Sequence, residues 1–301
     1  MLVGGARAAL GVGRGYEPQP IGTRASFDGD VRGYFLDVRA KTAAAPAPVV
    51  TGRGLVYGVS GTALAQYALG WWERHMAGDD DARSRFLAGV DALVDAADDI
   101  DGELLWRYDV AVPKYRRQPP WYSAMAQGQA TSALVRAHLL TGAERYADGA
   151  RRAVAPLLRE GELVIQAPEG PVLEECPSSP PSMILNGWIY ALWGLWDASC
   201  GLNDAAARRR FADSAAALRA LLPRFDTGWW TRYSLYEHDD LATPFYHRIH
   251  VAQAGVMHRL TGWNDLADAA RRWRSYDVPR RRIRAVGAKS AATLRSRRGH
   301  G

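Results

Sequence analysis

Four glycines, Gly78, Gly142, Gly201 and Gly262, punctuate the chain at intervals of 64, 59 and 61 residues. Each follows an apolar helical segment, such as residues 133–140, and precedes an alanine-rich second one, such as residues 144–150. Glycine suits such a loop because it adopts the left-handed conformation that ends a helix. Two of the loops, Leu140-Thr141-Gly142 and Leu260-Thr261-Gly262, are almost the same sequence. A period near 60 with one helix pair per unit predicts an all-α fold, an (α/α) toroid of about four helical hairpins. Aromatic and β-branched stretches at 104–108, 163–165 and 229–235 predict short strands between hairpins. In a ring of hairpins these connections gather at one end, which becomes the cleft.

The division that follows has three parts. Residues 1–50 are rich in Gly, Ala and Pro and read as an N-terminal segment and linker with one strand candidate at 31–38. Residues 51–278 form the helical domain. Residues 279–301 carry eight of the 38 Lys and Arg and no acid, so the rest of the chain holds 30 basic against 32 acidic residues. The overall charge of +6 therefore belongs to this tail. Lacking an apolar period, the tail is expected to be disordered.

With 301 residues, 48% of them hydrophobic, the chain can bury one good core. No apolar run approaches the ~20 residues that span a bilayer, and the start is a poor signal sequence. Two cysteines, Cys176 and Cys200, imply no disulfide framework. A cytoplasmic protein is expected. Metal and nucleotide chemistry lack their motifs: His247 and His250 are spaced i,i+3 without the glutamate of a zinc-protease helix, and the glycines at 11–15 lack a Lys-Ser/Thr ending. No cofactor or metal is called for, and nucleic acid is not expected as a partner.

The chemistry-bearing residues lie in or beside the connections. Trp121, Tyr122, Tyr233, Tyr236 and Tyr246 suit stacking on the apolar faces of sugars, although any one of them also suits packing at a helix end. Gln127, Gln129, Asn186, His247 and His250 sit at helix entrances, where amide donors and the positive dipole end favour a carboxylate. For Asn186 taken alone, simple helix capping is the favoured reading.

Three segments add a further reading when taken in order. They are Trp121-Tyr122-Ser123-Ala124-Met125-Ala126-Gln127-Gly128-Gln129, Glu174-Glu175-Cys176-Pro177 running on to Leu185-Asn186-Gly187, and Phe245-Tyr246-His247-Arg248-Ile249-His250. Together they resemble the catalytic helical domain of the D-glucuronyl C5-epimerases, over roughly residues 55–273. The resemblance implies inversion of C5 in glucuronate units of an acidic polysaccharide of the heparosan or heparan kind. It implies Tyr246 and Glu175 as an acid–base pair on opposite faces of the sugar, Glu175 as the acid. Tyr233, after Asp226-Thr227-Gly228, matches a further family tyrosine. A proton beside a carboxylate is weakly acidic, so the developing enolate needs cationic or hydrogen-bonded support; Arg232, Arg248 and His250 are the candidates. Where the family carries Arg-His, this chain has Tyr236-Glu237-His238, leaving Arg248 or Arg232 to substitute. About fifty residues precede the repeats, where the family has a β-rich domain that contributes to dimer contacts; a homodimer stays open. So do two alternative functions, a uronate lyase using the same proton abstraction and a non-catalytic uronan-binding module.

Overall fold

The computed structural model describes residues 33–43, 49–50, 56–57, 60–236 and 240–298. In chain order its regular elements begin with β1 (Val49–Val50), β2 (Val56–Tyr57), α1 (Gly61–Met76) and α2 (Ala82–Asp95). There follow β3 (Asp98–Ile100), β4 (Glu103–Leu105), α3 (Ala124–Thr141) and α4 (Glu144–Val154). Next are β5 (Val164–Ala167), β6 (Gly170–Leu173), α5 (Leu185–Gly201) and α6 (Ala205–Leu221). The last three are α7 (Pro244–Thr261), α8 (Asn264–Tyr276) and α9 (Pro279–Arg298). The protein is mostly helical, and among the described residues the strands pair as two-stranded antiparallel ladders, β1–β2, β3–β4 and β5–β6.

Helices α1 to α8 pack as sequential pairs, α1 on α2, α3 on α4, α5 on α6 and α7 on α8. The first member of each pair also packs on the next first member, most extensively α3 on α5. The outer helices bury one face each: α8 buries Leu266, Ala269, Ala270, Trp273 and Tyr276, a helical stripe. By contrast, α3 is buried continuously from Ala124 to Ala137. Glycine makes its contact with α5 possible. A Cβ on Gly128 would lie 2.5 Å from Ala191 Cα, and one on Gly194 would lie 2.4 Å from Gly128 Cα. Arg136 and Asp197 form an ion pair at 2.5 Å across this seam, both fully buried. Arg136 also donates to Ser132 O at 2.8 Å and Gly33 O at 2.6 Å.

The two matching loops are alike atom for atom. Gly142 and Gly262 have φ of 70° and 74°. Each preceding threonine donates back to a helix carbonyl, Thr141 to Ala137 at 2.6 Å and Thr261 to Met257 at 2.8 Å. His138 and His258 each meet the carbonyl one residue past the glycine. Gly78 is also left-handed, whereas Gly201 ends α5 and Asn203 takes the left-handed position, with φ of 53°.

Three sequence expectations are corrected. The tail is not disordered in its described part: residues 279–298 are helix α9. Ala285 is buried, the Arg284 guanidinium lies 3.9 Å from the Trp229 ring, and Lys289 Nζ donates to Leu241 O at 2.6 Å. A chain without an apolar stripe is held instead by one small residue and by cations on aromatic and carbonyl groups. Residues 229–235 are not a strand; Asp226–Thr231 and Arg232–Leu241 are isolated bridges. The described part of the 31–38 candidate, residues 33–38, is irregular and runs into a 3₁₀ turn, Arg39–Ala43. It docks nonetheless: Tyr34, Phe35, Leu36 and Val38 are buried, and Phe35 stacks on Trp193 at 4.6 Å.

Candidate active site

Two adjacent glutamates just past the end of β6 have opposite fates. Glu174 points into protein and accepts from Ser182 N at 2.8 Å, Ser182 Oγ at 2.7 Å and Met183 N at 2.8 Å. It is fully used in holding the loop that leads to α5. Glu175 turns instead toward the first turn of α5, where Asn186 Nδ2 donates to its Oε2 at 3.4 Å. Room for it exists because residue 187 is glycine; a Cβ there would sit 2.1 Å from Glu175 Oε2. Asn186 is thus no helix cap, that position belonging to Ile184.

Glu175 lines a cavity of about 300 Å³ together with Tyr246, Asn186, Trp121, Tyr108 and Lys41. Burial, reinforced by the neighbouring Glu174, pushes its carboxyl up to about 8, against partial relief from a hydrogen bond with Tyr233. Tyr246 enters from the first turn of α7, where Thr243 Oγ1 accepts from Tyr246 N at 3.4 Å and Pro244 starts the helix. Its ring lies 4.7 Å from that of Tyr233. Burial and then Glu175 hold the Tyr246 hydroxyl above the ordinary tyrosine range, while a hydrogen bond with Tyr233 lowers it. Tyr233 therefore joins Glu175 to Tyr246. Its backbone is fixed on both sides, Tyr233 N to Asp240 O at 2.6 Å and Leu185 N to Tyr233 O at 3.0 Å. Burial foremost drives its own hydroxyl well above the usual range.

Trp121 and Tyr108 form one wall, stacked at 4.3 Å with an interplanar angle of 16°. Trp121 Nε1 donates to Val110 O, and Tyr108 Oη bonds Thr62 Oγ1, so both rings are locked. Asn186 Oδ1 is buried with no hydrogen-bond partner among the described residues.

Other residues expected at the site lie elsewhere. Gln127 is fully buried and donates to Leu104 O and Ala153 O, both at 2.8 Å, tying strand β4 to α4. Gln129 accepts from Gln66, which does line the cavity, so it stands one layer behind. His247 is stacked on Trp230 at 3.8 Å and bonded to Thr231 and to Trp273 O; burial lowers it to about 4. His250 shares Thr231 and is held well below the usual histidine range by burial. Both are neutral core imidazoles. Tyr122 donates to Asp98 at 3.2 Å, and Tyr236 packs edge-on against Tyr115, 5.2 Å away. None of these, nor Arg232 or Arg248, lines the cavity.

The sequence reading did not single out Lys41, Gln66, Thr62 or Ser60. It also passed over Lys114 and Lys289, whose ammonium groups lie 5.4 and 5.3 Å from the Tyr233 ring and pair with Asp240. Only the alternation of charge and aromatic residues at 107–117 hinted at Lys114. Cys176 is buried beside Tyr115, Trp121 and Ile184, a space-filling thiol pushed up to about 12, chiefly by burial. Among the described residues no cluster of metal-ligating side chains occurs and no helix is long and apolar enough to cross a membrane.

Comparison with known proteins agrees with the three motifs. The chain is 30% identical over 223 residues to a D-glucuronyl C5-epimerase of Caenorhabditis elegans, a match covering 65% of this chain and 35% of that protein. It is 26% identical over 178 residues to an uncharacterised protein of Methanocaldococcus jannaschii, covering 57% of each. The chain thus spans between about a third and just over half of these relatives. The family description D-glucuronyl C5-epimerase C-terminus matches residues 100–275, more than half of the chain and all three motifs, and the protein belongs to that family.

Proposed function

We propose that the protein is an epimerase that inverts C5 of glucuronate units in an acidic polysaccharide. The observation that carries this reading is that Glu175 and Tyr246 share the wall of one cavity, with the Tyr233 ring, outside that lining, 4.7 Å from the ring of Tyr246. A carboxyl poised near 8 is a stronger base than an ordinary carboxylate and still ionises near neutral pH. Glu175 therefore takes the C5 proton, the C–H electron pair moving into the sugar carboxylate to give an enolate. Tyr246, which keeps its proton, returns one to the opposite face. This reverses the roles expected from the resemblance, where Glu175 was the acid. After turnover Glu175 holds a proton and Tyr246 lacks one, and the Tyr233 hydroxyl between them is the path for reset. Trp121 on Tyr108 offers an apolar wall to the sugar ring, and the unpartnered Asn186 Oδ1 suits a sugar hydroxyl. The paired helices are read as an (α/α) toroid with this cleft at its strand-bearing end.

The test is incubation with glucuronate-containing polymers in deuterium oxide, followed by NMR. Deuterium at C5 together with inverted units is the expected result. An ultraviolet-absorbing unsaturated product would mean a lyase instead. Binding with no exchange on any polymer would mean a binding module.

A further inference from the structure

An anionic sugar entering this cavity meets Glu175, so the site needs a positive group close to the substrate carboxylate. The cations expected from sequence do not supply it: Arg232 and Arg248 do not line the cavity, and His250 is a buried core imidazole. Lys114 and Lys289 stand outside the lining, over the Tyr233 ring, and both pair with Asp240, which is itself bonded by Ser234. Those two lysines tether α9 and the 113–115 turn to the body. Among the described residues that line the cavity, Lys41 alone is cationic and Glu175 alone is acidic.

Lys41 is presented by a built support. The 3₁₀ turn Arg39–Ala43 follows four buried residues, and Lys41 N donates to Val38 O at 2.9 Å. Arg74 Nε donates to Thr42 Oγ1 at 2.7 Å, and Thr42 Oγ1 donates to Arg39 O at 2.8 Å. Helix α1 approaches the turn at Gly70, where a Cβ would lie 2.8 Å from Val38 O and 2.9 Å from Thr42 Cγ2. The backbone that carries Lys41 is thereby fixed against the helical body, which is what an orienting contact requires. The turn lies ahead of the family match over residues 100–275.

We infer that Lys41 is a specificity-determining residue that holds the carboxylate of the bound uronate. The inference deepens the epimerase reading and rests on it for the identity of the anion. A lysine at that carboxylate serves twice: it selects acidic over neutral sugars, and it stabilises the charge that moves onto the carboxylate when C5 is deprotonated.

The experiment measures binding of heparosan and of its carboxyl-reduced, neutral counterpart, and turnover of heparosan, by wild type, Lys41→Gln and Lys41→Arg. Wild type should prefer heparosan roughly ten- to hundredfold, the usual effect of a hydrogen bond to a charged group. Lys41→Gln should lose that preference by weakening heparosan binding alone, raise KM and keep the wild-type melting temperature. Lys41→Arg should restore part of the preference. An undiminished preference in Lys41→Gln would overturn the assignment, as would a wild type that binds both polymers equally. Failure of the epimerase reading shows separately, as wild type that prefers heparosan yet takes up no deuterium at C5; Lys41 would then stand as the anion contact of a binding site.

Discussion

Asp197 and Glu175 are both carboxylates enclosed by the helical body, and their surroundings differ in every respect that matters. Asp197 lies in the α3–α5 seam, paired with a fully buried arginine and surrounded by backbones brought together at Gly128 and Gly194. Glu175 lies at the cavity wall with an amide and a tyrosine as its partners and another glutamate beside it. In the seam the ion pair serves the fold, and losing either partner leaves a charge stranded. Burial raises both carboxyls; in the seam Arg136 opposes that shift, whereas at the cavity wall Glu174 adds to it. The seam is framework, and the wall is where the proposed chemistry sits.

That contrast can be broken by substitution. Glu175→Gln should lower turnover ~10²–10⁴-fold, as should Tyr246→Phe, with melting temperatures no lower than wild type. Steady-state assay and calorimetry on the same samples check this. A variant that unfolds would place Glu175 with the framework. Asp197→Ala should cost about 3–5 kcal/mol, because it strands Arg136 in the core; denaturant titration reads it, and a tolerated change would undo the seam's role. Gly194→Ala should cost about 1–3 kcal/mol, since the seam must open by a methyl against Gly128.

Smaller effects sharpen the comparison. Truncation after Val278 should lower the melting point modestly and activity with it, because α9 covers Trp229 and brings Lys289 to Asp240 beneath Tyr233. An unchanged melting curve would show α9 to be dispensable. The pH dependence is the finest test. With a folded value of about 8 against an ordinary 4.5, Glu175 stabilises the protein fully below about 4.5. That contribution is lost as pH rises through about 8. Meanwhile kcat/KM should climb through the same range as Glu175 ionises to act as base. Glu175→Gln should flatten the stability curve. A wild-type rate that falls through pH 8 would return Glu175 to the acid role.

What the sequence determined by itself was local and periodic. Helix pairs and their loops follow from residues a few positions apart, so Leu-Thr-Gly could be read twice and takes the same hydrogen bonds twice. Glu175 and Tyr246 were legible because their motifs are contiguous. Which way a side chain turns is not legible in the same manner. Tyr246 and His247 are neighbours, yet one reaches the cavity and the other stacks under Trp230, since α7 turns 100° per residue between a wet face and a packed one. Gln127 resembled a ligand group and became a strut, because the carbonyls it satisfies belong to β4 and the end of α4. Lys41 and Lys289 were invisible for the converse reason. They come from the two ends of the described chain, which read as linker and tail, and only the tertiary structure folds those ends against the site. Composition records that a segment lacks an apolar stripe; whether its few buried residues and its cations find partners depends on a surface that the rest of the chain must build first.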